Sequence, residues 1–202
     1  MIRPLGDRIV VRADEFQETT ASGIFIATAE DKSTDTGEVV AVGPEVSGIN
    51  AEDDVLFLKG AGETLEILGD QLTVLTLNEV VGVLDQTSAL SPVADVIVCT
   101  DAEFGDQQTQ AGIIIKSNIN QSQGITSRWM RVHKVGPEQE LVKAGQWVLV
   151  EYGRWTAGFT VDGFDEAYRV DPLGCLAVSD EKPDNTVYYN SDVVTADKKV
   201  AF

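Results

Sequence analysis

Short runs of Val, Ile and Leu, partly alternating with polar residues and broken by Gly, Asp and Asn, run through most of this chain. Alternation with period two puts apolar side chains on one face of a strand, and closely spaced turn residues favour a β-sandwich or barrel over helices. The pattern predicts strands over 8–12, 37–42, 54–58, 64–67, 72–76 and 80–84, and again over 95–99, 128–135, 146–151, 158–162, 167–170 and 174–178. No segment carries a sustained helical period.

The second set of strands repeats the first. Pro4, Asp7 and Ile9-Val10-Val11 recur as Pro92, Asp95 and Ile97-Val98. Gly23-Ile24-Phe25-Ile26 recurs as Gly112-Ile113-Ile114-Ile115, and Val42-Gly43-Pro44-Glu45 as Val135-Gly136-Pro137-Glu138. The strand Val55–Leu58 and the closing strand Val80–Leu84 return as Trp147–Val150 and Leu173–Val178. Landmarks repeated in one order mark two copies of a single structural unit. The expected organisation is a unit over 1–86, a short polar linker over 87–91, a second unit over 92–179 and a polar tail over 180–202.

One segment breaks the β texture. Ile24, Phe25 and Ile26 stand inside a stretch of Thr, Ser, Ala, Glu and Asp, and so large an apolar triplet on a polar loop is suited to burial in a partner. An edge strand tucked on its own barrel is the alternative for these three residues.

With the opening Pro4-Leu5-Gly6-Asp7-Arg8-Ile9-Val10-Val11 and the sequel Gly37-Glu38-Val39-Val40-Ala41-Val42-Gly43, this triplet resembles the GroES co-chaperonin family, in order and spacing, over residues 1–86. The resemblance implies an all-β fold of two tandem GroES-like β-barrels with long loops. It also implies chaperonin-binding residues Ile24, Phe25 and Ile26, with Ile113, Ile114 and Ile115 as a second, less typical set. In that family the first strand of one subunit pairs with the last strand of its neighbour. An oligomer interface at Arg8, Ile9, Val10 and Val11 and at Val80, Val81 and Val83 is therefore implied, with partner strands in the other barrel or in the next subunit.

The chain departs from the bacterial members in one respect. They insert a hairpin after Val-Gly that roofs the dome, whereas here only Pro44–Asp54 separates Gly43 from Val55, and Gly136 and Trp147 lie closer still. Absence of the roof resembles phage co-chaperonins, which enlarge the chamber for a capsid protein.

Composition narrows the function. The 202 residues hold 33 acidic and 15 basic side chains, a net charge of −18. Such a balance argues against nucleic-acid binding, since phosphate contact needs clustered Lys and Arg. No apolar run has the ~18 residues of a membrane span. Met1-Ile2-Arg3-Pro4 leads straight into a strand pattern without the features of a secretion signal, so a cytoplasmic location in the host is expected. Cys99 and Cys175 lie in apolar runs and read as buried, reduced thiols. His133 is the only histidine, which leaves no pair for a metal site or a Cys–His nucleophile. Glu52-Asp53-Asp54 reads as a solvated acidic turn. Trp129, Trp147 and Trp155 all fall in the second unit, either as core or as an exposed platform for a partner.

The expectation is a non-enzymatic co-chaperonin, without metal or cofactor, that caps a GroEL-like ring and assists folding of a large capsid client as a homo-oligomer. The alternative is a phage virion protein, a capsid decoration or neck component, that keeps the fold. The atypical second loop and the Trp-rich second unit favour that alternative.

Overall fold

The computed structural model describes residues 2–14, 33–67, 69–102, 107–108, 114–115, 126–183 and 188–189. Strands β1 (Arg8–Ala13), β2 (Thr34–Val42), β3 (Asp54–Leu58), β4 (Glu63–Ile67), β5 (Asp70–Thr76), β6 (Val80–Leu84) and β7 (Leu90–Pro92) form one sheet. Next come β8 (Ile97–Thr100), the two-residue pair β9 (Gln107–Gln108) and β10 (Ile114–Ile115), β11 (Thr126–Val135), β12 (Trp147–Val150), β13 (Phe159–Val161), β14 (Phe164–Val170), β15 (Cys175–Ser179) and β16 (Tyr188–Tyr189). The predicted strands are all present, within a few residues at their ends.

The first sheet runs β4-β5-β1-β2-β3-β6-β7 and the second β13-β14-β8-β11-β12-β15, with β16 on the start of β11. The two orders are the same, strand for strand, apart from β7. Both sheets are open along their hydrogen-bonded order, with β4 and β7 at the ends of one and β13 and β15 at the ends of the other. Closed barrels were the expectation. Each sheet instead ends in a short hairpin on one side and a short strand on the other, and among the described residues no ladder joins them.

The repeated motifs have a physical cause. Gly43 N donates to Arg8 O at 2.8 Å and Glu45 N to Gly6 O at 3.0 Å; Gly136 N donates to Val96 O at 2.8 Å and Glu138 N to Ala94 O at 2.9 Å. A Cβ on Gly43 would run into Gly6 O, and one on Gly136 into Ala94 O. The Val-Gly-Pro-Glu motif is therefore a strand end lying against the turn that opens the unit. The connections over 43–53 and 136–146 are equally long, contain no strand, and are held by one buried apolar side chain each, Ile49 and Val142.

Two apolar clusters fill the molecule. One holds Ile9, Val11, Val39, Val55, Phe57, Leu75, Val80 and Val81, and the other Ile97, Cys99, Met130, Val132, Val148, Val150 and Tyr168. The first also contains Val93, Val96, Val98, Phe159, Val161 and Ala167 from the second half. The hairpin β13–β14 thus carries part of its apolar face into the neighbouring core.

The stretch expected as a short polar linker over 87–91 runs at its end into a strand. Leu90–Pro92 pairs with β6, matching Gly82 with Pro92 and Leu84 with Leu90, and Leu90 is buried. Among the described residues of the tail, Tyr188 and Tyr189 pair with Ser127 and Thr126, and Asp180 accepts from Gln146 Nε2 at 2.7 Å.

Candidate functional site

The segment bearing Ile24, Phe25 and Ile26 joins β1 to β2. These three residues, and Ile113, lie outside the described residues. Ile114 and Ile115 form β10, paired with Gln108 and Gln107 in the segment that joins β8 to β11. The two isoleucine-bearing segments therefore occupy the same place in the two strand orders.

The anchors of the first segment are firm. On one side Asp14 N donates to Thr36 O at 2.9 Å. On the other, Lys59 N donates to Ser33 O at 2.9 Å, and Ser33 Oγ donates to Ala157 O at 2.7 Å, across to the second half. Between them opens a cavity of about 550 Å³, lined by Asp14, Thr34, Lys59 and Leu84 and by the β13–β14 turn at Asp162 and Gly163. Paired backbone at both exits fixes where the segment leaves the sheet.

A polar clasp closes one wall of this cavity. Asp162 sits at the β13–β14 turn with φ of 51°, a left-handed conformation that Asp tolerates better than most residues. Its carboxylate accepts from Leu90 N at 2.9 Å, lies 2.8 Å from His133 Nε2 and pairs with Lys134 Nζ at 2.8 Å. Lys134 Nζ also donates to Leu90 O at 2.6 Å, and His133 stacks at a tilt on Phe164, ring centres 4.7 Å apart. Burial pushes the Asp162 carboxyl up, but hydrogen bonds from Lys134, Leu90 and His133 outweigh it and hold it below the usual carboxylate range. The lone histidine is thus part of the contact between the two halves. Sequence reading missed this clasp, because its donors come from β7 and β11 and its acceptor from a hairpin turn, far apart in the chain.

The residues expected at an oligomer interface find partners within the chain. β1 is flanked by β2 and β5, and Ile9, Val10 and Val11 are buried; Arg8 is exposed and pairs with Asp7. β6 is flanked by β3 and β7, with Val80 and Val81 buried and Val83 half-buried. The ladder of both strands is satisfied internally, and neither needs a second copy.

The cysteines differ. Cys99 is buried in the second core, and burial pushes its thiol well above the ordinary range. Cys175, expected to be buried too, is half-buried because β15 is an end strand; burial still raises its thiol to about 11. The tryptophans are all half-buried: Trp155 meets Tyr152 edge-on at 5.9 Å, and Lys182 Nζ lies 5.5 Å from the Trp147 ring centre. The acidic turn is tied by Asn50 N donating to Asp53 Oδ2 at 2.7 Å. Among the described residues no three His, Cys, Asp or Glu side chains gather to hold a metal ion, and no helix is long and apolar enough to cross a membrane.

Comparison with known proteins bears on the first sheet. Residues 1–84 match the family described as the chaperonin 10 kDa subunit. The chain is 37% identical over 101 residues to co-chaperonin GroES 2 of Mesorhizobium japonicum, covering 97% of that protein and 46% of this chain. It is 39% identical over 92 residues to the co-chaperonin GroES of Clostridium botulinum strain Hall, covering 97% of that protein and 42% of this chain. Nearly the whole length of such relatives is thus spanned by less than half of this chain, and on that match the protein belongs to the GroES co-chaperonin family.

Proposed function

We propose that this chain is a co-chaperonin of two tandem GroES-like units that caps a GroEL-like chaperonin ring through Ile24, Phe25 and Ile26, with Ile113, Ile114 and Ile115 as a second contact. The observation that carries this reading is family membership of the segment that holds the first triplet between two firmly anchored strand ends. Burying each large apolar side chain in a partner's groove gains roughly 1.5–3 kcal/mol. Ordering a polar loop offsets much of that gain, so one loop binds weakly and an oligomer presenting several binds with high avidity. The protein itself runs no chemical reaction; it works in the host cytoplasm and needs no metal or cofactor.

The short connections over 43–53 and 136–146 support the finer reading of a roofless, phage-type cap over a chamber for a capsid client. Neither connection has the length or the strands to build a roof hairpin.

The test is Phe25→Asp in the full-length protein. The charge has no partner in an apolar groove, and its desolvation costs several kcal/mol per loop. Capping, read as inhibition of chaperonin ATPase and rescue of a folding client, should be lost while the melting temperature is unchanged. Wild-type inhibition by the variant would remove the triplet from the contact. Stoichiometric presence of the protein in purified particles would favour the virion alternative over a transient chaperone.

A further inference from the structure

The segment that carries Ile24, Phe25 and Ile26 ends where β2 begins, and the segment that carries Ile113, Ile114 and Ile115 ends where β11 begins. Val39 on β2 stands across from Val11, and Val132 on β11 across from Cys99, matching positions of β1 and β8. Counting back from each valine by the same step reaches Ser33 and Thr126, which therefore mark equivalent exits.

Both exits are held from outside their own unit. Ser33 Oγ lies 2.7 Å from Ala157 O and 3.1 Å from Gly158 O, so its one proton serves the nearer carbonyl with the other beside it. The receiving stretch is itself fixed on both sides. Thr156 N donates to Arg169 O at 3.0 Å and Arg169 N to Thr156 Oγ1 at 3.1 Å, while Phe159 is buried in the first core. At the other exit, Thr126 and Ser127 pair with Tyr189 and Tyr188 of β16, in the tail. The second unit thus holds the first exit, and the stretch that follows the second unit in the chain holds the second. The start of the first segment is different: Asp14 is tied to Thr36 of its own unit, through Asp14 N on Thr36 O and Thr36 Oγ1 on the Asp14 carboxylate.

We propose that Ser33 is a positioning residue, through which the second unit sets the direction in which the first chaperonin-binding segment leaves the sheet, and that β16 does the same for the second segment. For capping, this role rests on the reading of the two segments as chaperonin contacts; the latches themselves are a matter of geometry. Without its hydroxyl, residue 33 keeps one backbone bond, from Lys59 N to its carbonyl, and Thr34 stays buried. The strand survives and the direction of the exit is lost. A segment that must seat three apolar side chains in one groove then gives up more freedom on binding. Presenting several such segments at once multiplies the loss. The first latch is one hydroxyl bond and the second a two-residue ladder, so the first is the easier to remove without disturbing the fold.

Amide exchange and chaperonin ATPase inhibition, both on the full chain, test the proposal. In Ser33→Ala, exchange at Thr34 and Asp35 should quicken on the order of two- to tenfold, as loss of one hydrogen bond allows, while exchange along β12 stays as in wild type. The concentration for half-inhibition should rise by at least that factor. Ser33→Thr keeps a hydroxyl and should restore both readouts. Tyr188→Pro combined with Tyr189→Pro removes the ladder donors of β16; it should quicken Thr126 and Ser127 and leave Thr34 and Asp35 unchanged. Wild-type exchange at Thr34 and Asp35 in Ser33→Ala, or no restoration by Ser33→Thr, overturns the first latch. Equal quickening along β12 overturns it too, since it marks a general loss of stability. Wild-type exchange at Thr126 and Ser127 in the proline variant overturns the second. Faster exchange at Thr34 with unchanged half-inhibition overturns the positioning role while the chaperonin contact stands. A Phe25→Asp protein that inhibits like wild type is a separate failure: it removes the contact itself, and the positioning role with it.

Discussion

The hairpins β4–β5 and β13–β14 occupy the same place in the two strand orders, and each turns through a glycine with positive φ, Gly69 and Gly163. Their surroundings differ. β4 is exposed along nearly its whole length, whereas β13 buries Phe159 and Val161 in the neighbouring core and its turn ends in the Asp162 clasp. Local sequence makes both hairpins; position in the chain decides which of them has something to cover. The side chains follow suit, aromatic and β-branched where burial is available, Glu-rich where it is not.

The sharpest way to break that comparison is to truncate the covered hairpin and its uncovered equivalent. Phe159→Ala removes a fully buried aromatic ring shared by both halves and should cost about 3–5 kcal/mol in urea unfolding. Leu65→Ala, half out of water already, should cost about 1 kcal/mol or less in the monomer. Equal losses would mean that the hairpins are equally buried, and the asymmetry would fail.

Next in size is Gly82→Ala. The added methyl meets backbone atoms of β7, which cannot move as a side-chain end can. Such overpacking typically costs about 1–3 kcal/mol. The loss should be accompanied by faster amide exchange of Val83 and Val93, which the β6–β7 contact otherwise protects. An unchanged exchange pattern would show that β7 holds its place without close approach at Gly82.

Much of this fold was legible in the chain because its signals are local. The short apolar runs at Ile9–Val11, Val55–Leu58 and Trp147–Val150 became strands, and the Val-Gly-Pro-Glu motifs became matching strand ends. What stayed hidden depends on which strands meet. Leu90-Ser91 read as the end of a linker and Pro92 as the start of the second unit, a stretch too short to show a period, yet Leu90–Pro92 is a strand paired with the outer edge of β6. Arg8–Val11 and Val80–Val83 read as edges needing partner strands in the other barrel or in the next subunit, because nothing in the sequence says that β5 and β7 lie beside them. Of the candidate site, the sequence shows the apolar triplet and its polar flanks, while the structure contributes the anchors at Asp14 and Ser33. The Asp162 clasp had no sequence signature, since a carboxylate in a hairpin turn looks like any other turn acid.

That clasp carries the smallest of the expected effects and separates the two hairpins electrostatically. Asp162→Asn keeps a side chain that tolerates positive φ and retains an acceptor for Leu90 N, but it removes the charge facing Lys134 and His133. Hydrogen bonds to charged groups contribute about 1.5–3 kcal/mol when well buried. With Lys134 one-third exposed, a loss of roughly 1–2 kcal/mol at neutral pH is expected after screening. The sign follows from the carboxyl, whose pKa in the folded protein lies below its unfolded value. The wild-type advantage is therefore complete above the unfolded value of about 4 and fades as pH falls through the lower folded value. Urea unfolding of wild type and variant at pH 7 and at pH 3 should show the gap narrowing in acid. A gap that widens, or one that is absent at pH 7, would mean that the two halves are held by the Phe159 and Val161 packing alone, with Asp162 serving only to turn the hairpin.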